Sequence, residues 1–269
     1  MAVNFVSKLK YDISDLLKIM EILRSPEGCP WDREQTHESI KKSLIEETYE
    51  VVEAVNKNDR ELLTEELGDV LLQVVFHSQI AKENGEFDFS DVCDGICKKL
   101  IERHPHVFGD VSVKDSGEVL ENWEQIKSRT KHRKTQTDKM LSVPRELPAL
   151  MRSAKIQEKA AKVGFDWNDV SGAFDKLSEE SEELKAAISN NDRENMTEEL
   201  GDLLFSAVNV SRFIGVDAEE ALTASADKFL NRFSVVERLA NERNTDMKQC
   251  SIEELDRLWD EAKAITKSN

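Results

Sequence analysis

The sequence predicts an all-α fold in two tandem copies, and three observations predict it. Gly and Pro are scarce, 10 and 5 in 269 residues, while the charged fraction is 34%. With long amphipathic runs, that composition suits helices rather than sheets. A segment also recurs. Asn-Asp-Arg-Glu, two variable residues and Thr-Glu-Glu-Leu-Gly-Asp fill residues 58–69 and again 191–202, an offset of 133. Finally, the length is that of two ordinary domains, and 39% hydrophobic residues can supply a core for each. The repeat organises the chain. The expected division is residues 1–127, a basic, Pro-containing linker at 128–147, and residues 148–269.

The first element is an amphipathic helix over 11–24, with Ile13, Leu16, Leu17, Met20 and Leu23 on one side. Ser25-Pro26-Glu27-Gly28 stops it as a turn. Cys29-Pro30-Trp31-Asp32 follows, too rich in special residues to read as helix interior. The second helix carries Glu47 and Glu50 and ends near Asn56-Lys57-Asn58. Asp59 caps the third, since its carboxylate can accept an orphan N–H of the first turn. That third helix carries Glu66 and Asp69, then Val70, Leu71, Leu72, Val74, Val75 and Phe76. These apolar residues nearly encircle the axis, so burial on most sides is expected. One short hairpin cannot provide it, and an obligate dimer built on this helix is the expectation. Gly68 and Gly201 sit inside helical pattern, where Gly costs about 1 kcal/mol; close approach of a backbone or a ligand would account for them. Beyond Asn84-Gly85, Ser90 is expected to cap a helix running through Lys99 and Arg103, and His104-Pro105-His106 to end it. Trp123 lies on a further helix, 117–129. Positive charge then concentrates at Lys127, Arg129, Lys131, His132, Arg133, Lys134 and Lys139, with Pro144 and Pro148 after it, which reads as the linker.

The second half repeats the plan. A helix over 148–162 leads to the aromatic loop Gly164-Phe165-Asp166-Trp167. Glu179-Glu180-Ser181-Glu182-Glu183 and Glu199-Leu200-Gly201-Asp202 flank the helix-breaking run Ser189-Asn190-Asn191-Asp192. Asp217 caps a long helix carrying Lys228, Phe229, Arg232 and Phe233. Ser251-Ile252-Glu253-Glu254 is a capping box opening the last helix, which holds Trp259.

The chemistry lies in the acidic hairpins. Residues three apart share a helix face, so Glu180 with Glu183, and Glu199 with Asp202, each present two carboxylates. An antiparallel hairpin aims all four into one small volume. Glu47, Glu50, Glu66 and Asp69 do the same in the first half. Four like charges repel, and a hard divalent cation with oxygen ligands is their natural occupant. A solvated acidic face is the simpler reading of one such motif, but it does not explain the repeated spacing. A di-iron carboxylate bundle needs Glu-x-x-His in two helices; only Glu34 to His37 matches, outside the hairpins. Oxygen-only ligands favour Mg²⁺ or Mn²⁺. Lys228 and Arg232, four apart, could hold polyphosphate oxygens, and Trp259 could stack on a base, although a solvated basic face and a helix-packing Trp are the simpler readings of each alone. No Gly-rich phosphate loop is present.

Net charge limits the partners. At −17 the chain repels nucleic-acid backbones and anionic membranes, so neither is an expected partner. Cys29, Cys93, Cys97 and Cys250 form neither a disulfide framework nor a zinc pattern. Cys93 and Cys97 are expected as small buried hydrophobes. With no signal-like or membrane-length apolar run, a reduced cytoplasmic location is expected.

Taken together the motifs resemble a known family. EExxE, then ExxD, an upstream Cys-Pro-Trp-Asp, the Lys-Leu-Ile-Glu-Arg-His-Pro-His-Val-Phe segment and the later Val-Gly-Phe-Asp-Trp are similar to the MazG nucleoside triphosphate pyrophosphohydrolases, over nearly the whole chain. The resemblance implies two MazG-like helical domains, each forming four-helix-bundle-type homodimers. It implies Mg²⁺-dependent hydrolysis of NTPs and dNTPs to monophosphate and diphosphate with broad base tolerance, and a role in nucleotide-pool sanitation. It carries metal ligation onto Glu180, Glu183, Glu199 and Asp202, nucleotide contacts onto Lys176, Lys228, Arg232 and Trp259, and a water-orienting role onto Glu179. Ala226 stands where the family often has Asn, and Ser43 stands in the first repeat where Lys176 stands in the second. The first-half acids are complete, so a second metal site stays open. The alternative from another class is a nucleotide-sensing helical dimer without turnover.

Overall fold

A computed structural model of the chain describes residues 5–130 and 135–267, apart from the side chains of residues 120, 121, 124, 125 and 128–130. Among the described residues every regular element is helical. The chain divides into two compact units, Met1–Lys127 and Ser128–Asn269.

In the first unit, α1 (Ile13–Leu23) opens at Asp12, which accepts the N–H groups of Ser14 and Asp15 while Asp15 accepts the Asp12 N–H. α2 (Pro30–Glu34) comes next. Here the expectation for Cys29-Pro30-Trp31-Asp32 needs correcting, because Pro30 at the first helical position starts a turn of helix that takes in Trp31 and Asp32. Proline lacks only an N–H that would be orphaned there anyway, and its φ is already helical. Arg24 ties this turn down. Its side chain is 5% exposed, its Nε and Nη2 donate to both Glu83 oxygens at 3.0 and 2.8 Å, and its Nη1 donates to the carbonyls of Asp32 and Gln35.

α3 (His37–Lys57) and α4 (Arg60–Glu83) form the hairpin. Asn58 closes α3 in the left-handed region at φ 53°, and Asp59 at once caps α4 by accepting from Glu61 and Leu62 N–H. Asn tolerates that conformation better than any other bulky residue. Two residues therefore reverse the chain, and Ala54, fully buried beside them, lets the helices close. Met20, Ile40, Val75, Phe76 and Ile80 form the core, joined by Leu16, Leu17, Leu72 and Phe89. The burial expected around α4 is incomplete within one chain, since Leu67 and Leu71 stay 53% and 40% exposed. Among the described residues nothing lies within 4 Å of a Cβ built on Gly68 or Gly201, so no described backbone accounts for either glycine.

α5 (Phe89–Arg103), α6 (Pro105–Phe108) and α7 (Ser116–Thr130) complete this part of the chain. The cap of α5 is Asp88, not Ser90. Asp88 accepts the N–H groups of Ser90 and Asp91, and Asp91 accepts the Asp88 N–H, so the reciprocal box selects the earlier residue. Cys93 and Cys97 are exposed, contrary to the expected burial. α5 packs mainly against α4 and α6, which leaves its Ile96 and Leu100 side uncovered as well.

His37 at the start of α3 and His77 on α4 are stacked, with Nδ1 atoms 2.7 Å apart. The repeat places Val170 and Val210 at the matching positions of the second half. Burial first, and then the charge of His37, push His77 below the usual histidine range. The folded state therefore binds fewer protons than the unfolded chain as pH falls through the ordinary histidine value. This contribution leaves stability unchanged above about pH 7 and removes it progressively as pH falls below about 6.5. The first unit of the His37→Val/His77→Val double variant should show a shallower loss of melting temperature between about pH 7 and about pH 5.5. Calorimetry that finds equal slopes would remove the pair as the cause.

In the second unit α8 (Gln136–Leu141) lies inside the segment expected as linker. Gln136 donates to the Lys159 carbonyl of α9 (Ala149–Ala161), and Val143 is 5% exposed, so part of that segment is packed. Lys131, His132, Arg133 and Lys134 lie outside the described residues. α10 (Val170–Ser189) and α11 (Arg193–Phe213) form the second hairpin. It turns as the first does, with Asn191 at φ 53° and Asp192 as cap, and with Ala187 fully buried. α9 packs along α11, where Gln157 donates to the Phe205 carbonyl at 2.8 Å. α12 (Ala218–Glu242) is capped by Asp217. Ser251 and Glu254 form the expected reciprocal box at the start of α13 (Ile252–Lys267). Val236, Leu239, Ala240, Leu258 and Ala262 make the α12–α13 core.

Candidate metal and nucleotide site

The α10–α11 hairpin sets the site. Glu180 is 3% exposed, Glu199 is half-buried and Asp202 is exposed, and one carboxylate oxygen of each lies within 4.8 Å of the other two. Glu183 is exposed and stands beside this group rather than in it, yet its charge reaches Glu199. Burial first, then the charges of Glu183 and Glu180, push the Glu199 carboxyl up. Glu180 has a compensating cation one turn earlier on its own helix. Lys176 Nζ lies 2.5 Å from Glu180 and 3.0 Å from Glu179. Those two carboxylates hold Lys176 well above the usual lysine range. A buried carboxylate with a bonded cation keeps its charge far more readily than an isolated one. Glu179 itself is exposed and outside the three-acid group.

The α3–α4 hairpin builds the same group from Glu47, Glu66 and Asp69, again within 4.8 Å. The buried member differs. Glu66, 9% exposed, is the counterpart of Glu199, and not of buried Glu180. Burial, the bond to Glu50 and the charge of Asp69 push Glu47 up, and burial and Glu50 push Glu66 up. Ser43 stands at the position of Lys176, so the first hairpin has no counterpart of the lysine that pairs with Glu180. In each hairpin, then, three of the four predicted acids converge and the fourth, Glu50 or Glu183, is their neighbour. Clustered carboxylates that raise one another's pKa have an unmet need for positive charge, and with oxygen donors alone they suit a hard divalent cation such as Mg²⁺.

Lys228 and Arg232 share α12 with Phe229, and the rings of Phe229 and Trp259 are 5.1 Å apart between centroids. The Arg232 guanidinium lies 6.0 Å from the Trp259 ring, and its buried Nε has no hydrogen-bond partner. Trp259 is half-buried against the α12–α13 core, so it packs helices whatever else it does. Among the described residues no ion pair joins Lys228 or Arg232 to the acids. Sequence reasoning missed the tie between Asp166 and Arg212, 2.5 Å apart, which fastens the aromatic loop to the end of α11. Arg212 also bonds Asn209 and covers Phe213. An Arg in the last turn of α11, after Val208 and Val210, was the available signal. Trp167 lies on Gly172 so closely that a Cβ there would sit 2.2 Å from its ring, which accounts for a glycine in the first turn of α10.

Comparison with known proteins agrees with this geometry. The MazG nucleotide pyrophosphohydrolase domain matches twice, at residues 35–108 and 169–236. The chain is 48% identical over 249 residues to the nucleoside triphosphate pyrophosphohydrolase/pyrophosphatase MazG of Thermotoga maritima, across 93% of this chain and 94% of that protein. It is 46% identical over 254 residues to the nucleoside triphosphate pyrophosphohydrolase of Escherichia coli K12, across 93% and 97%. It is also 48% identical over 256 residues to the uncharacterized protein YabN of Bacillus subtilis, of which it covers 52%.

Proposed function

The chain belongs to the MazG nucleotide pyrophosphohydrolase family, and from that premise we propose that it hydrolyses nucleoside triphosphates to monophosphate and diphosphate, with its principal site in the second unit. The observation that carries the assignment is the group of Glu180, Glu199 and Asp202, with Lys176 bonded to its buried member. Glu180, Glu199 and Asp202, with Glu183 beside them, hold Mg²⁺, and Mn²⁺ suits the same donors. When bound, the metal polarises a phosphoryl oxygen and lowers the pKa of water. Lys176 sets a positive charge 2.5 Å from Glu180 in its buried position. Lys228 and Arg232 neutralise charge that develops on the departing diphosphate, and Trp259 stacks on the base. To Glu179 we assign the orientation of the water that adds to the α-phosphorus as the bond to the β-phosphate oxygen breaks. Broad base tolerance follows from stacking alone, since every base offers a π-face. Such an enzyme serves nucleotide-pool sanitation in the cytoplasm, where its substrates are.

The working form we propose is a homodimer. Its support is apolar surface left open along both hairpins, including Ile45, Tyr49 and Leu67 in the first and Phe174, Leu200 and Leu204 in the second. Glycines at Gly68 and Gly201, which no described backbone from elsewhere in the chain approaches, suit a partner or a ligand there. No described helix is long and apolar enough to cross a membrane.

Incubation with ATP or dGTP and Mg²⁺ should release monophosphate and diphosphate in equal amounts, and EDTA should stop the release. Tight binding with no product would replace this reading with a nucleotide-sensing dimer. Assay of residues 1–127 and 128–269 as separate chains should place turnover in the second.

A further inference from the structure

We infer that Cys93 and Cys97 on α5 form a two-sulfur site for a soft, thiophilic metal ion of the Zn²⁺, Cd²⁺ and Cu⁺ class. The site is on a different helix from every acid of the two hairpins. Both thiols are free and exposed. They are four residues apart within α5, so they stand one above the other on a single helix face. Buried, they would be packing residues and nothing more. Their exposure removes that role and leaves two polarisable donors side by side.

Helix geometry decides what such a pair can do. Residues four apart on a helix have Cβ atoms about 5–6 Å apart, whereas a disulfide needs about 3.5–4.5 Å. An internal disulfide would therefore have to unwind a turn of α5. A metal ion asks for less. With metal–sulfur bonds of about 2.3 Å at a tetrahedral angle, two sulfurs sit about 3.8 Å apart. Rotation about each χ1 brings them that close while the helix stays intact. Thiolates are the donors that soft ions prefer, and each thiol gives its proton to solvent as its bond to the metal forms. Mg²⁺, which takes oxygen ligands, does not compete for the pair.

The surroundings agree. The nearby carboxylates are engaged elsewhere, since Asp94 is bonded to Lys98 at 2.6 Å and Asp91 accepts the Asp88 N–H in the cap. Ile96 and Leu100, 43% and 45% exposed, border the sulfurs. Such a rim suits the neutral complex that a divalent ion makes with two thiolates. The second unit has no such pair. Counted from the caps Asp88 and Asp217, Leu222 and Ala226 stand at the positions of Cys93 and Cys97. The sulfurs are thus no part of what the repeat preserves, and their site is not a copy of the one proposed for turnover. Two sulfurs make half of a closed zinc centre, and water or the same face of another copy completes the coordination. α5 packs mainly against α4 and α6. An ion that spans Cys93 and Cys97 clips one turn of this sparsely held helix, so binding stabilises α5.

The test is titration of the reduced full chain with Cd²⁺ in excess Mg²⁺. It is followed by the ultraviolet charge-transfer absorption that cadmium–thiolate bonds give and carboxylate ligands do not. The wild type should develop this absorption up to one Cd²⁺ per chain, and amide exchange along α5 should slow. Cys93→Ser and Cys97→Ser, both exposed changes, should each lose the stoichiometric binding while circular dichroism and NTP turnover stay as in the wild type. The Cys29→Ser/Cys250→Ser double variant should keep it. One ion per two chains, lost in both single variants, would uphold the pair as half of a site shared between copies. The inference is overturned by a wild type without the absorption, by stoichiometric binding that survives in Cys93→Ser or Cys97→Ser, or by its loss in the double variant.

Discussion

Glu180→Gln lowers diphosphate release by about 10³-fold or more, since a metal held among carboxylates supplies several kcal/mol of charge stabilisation and each 1.4 kcal/mol is worth a factor of ten. The substitution keeps the shape of the side chain and removes only its charge, at the buried centre of the three-acid group. It also takes away the negative charge that Lys176 pairs with at 2.5 Å. The fold should survive, because one fewer carboxylate relieves the repulsion felt at Glu199. Thermal unfolding without metal should therefore be close to that of the wild type, while the rise in melting temperature on adding Mg²⁺ should shrink. Glu182→Gln is the control. It makes the same change of charge two residues away, on another side of the helix, at an exposed residue paired with Lys185, and should leave turnover near the wild-type rate. Full activity in Glu180→Gln would end the assignment of the second hairpin as the principal site.

Arg232→Gln lowers kcat/KM by about 10²- to 10³-fold, the range seen when one preorganised donor to a developing charge is removed. Its Nε is buried without a partner and its guanidinium is held near the Trp259 ring, so the cation is already in place before a ligand arrives. Arg232→Lys should recover part of the loss through charge, but not all of it, since lysine cannot give two parallel hydrogen bonds to phosphate. A loss below tenfold in Arg232→Gln would mean that the residue only packs against Trp259. Steady-state kinetics with varied NTP separates the cases, because a packing defect lowers the melting temperature while leaving the response to substrate charge intact.

Both hairpins were readable before any coordinates, and their turns show why. Asn58 and Asp59, like Asn191 and Asp192, combine a residue that tolerates the left-handed region with a carboxylate that caps the next helix. Those interactions reach no more than three residues along the chain, so local sequence suffices to specify them. The same locality explains the failures. Asp88 and Ser90 are both good caps two residues apart, and only the reciprocal bond from Asp91 decides between them. Proline in Cys29-Pro30-Trp31-Asp32 reads as a breaker until its place at the first helical position is known. Cys93 and Cys97 were expected inside because cysteine is usually buried, yet burial depends on what packs against α5 from elsewhere in the chain.

By itself the sequence determined that acids far apart in the chain would meet, twice, because a 3.6-residue period and a two-residue reversal leave a helical pair few other arrangements. Only the tertiary structure decided which acid is buried in each group, Glu180 in one and Glu66 in the other, and which cation answers it. It alone set Arg103 and Arg232 against their tryptophans. The physical reason is range. Backbone hydrogen bonds and caps are settled between near neighbours, whereas desolvation and ion pairing are sums over every element that crowds a side chain, and those neighbours are chosen only when the helices pack.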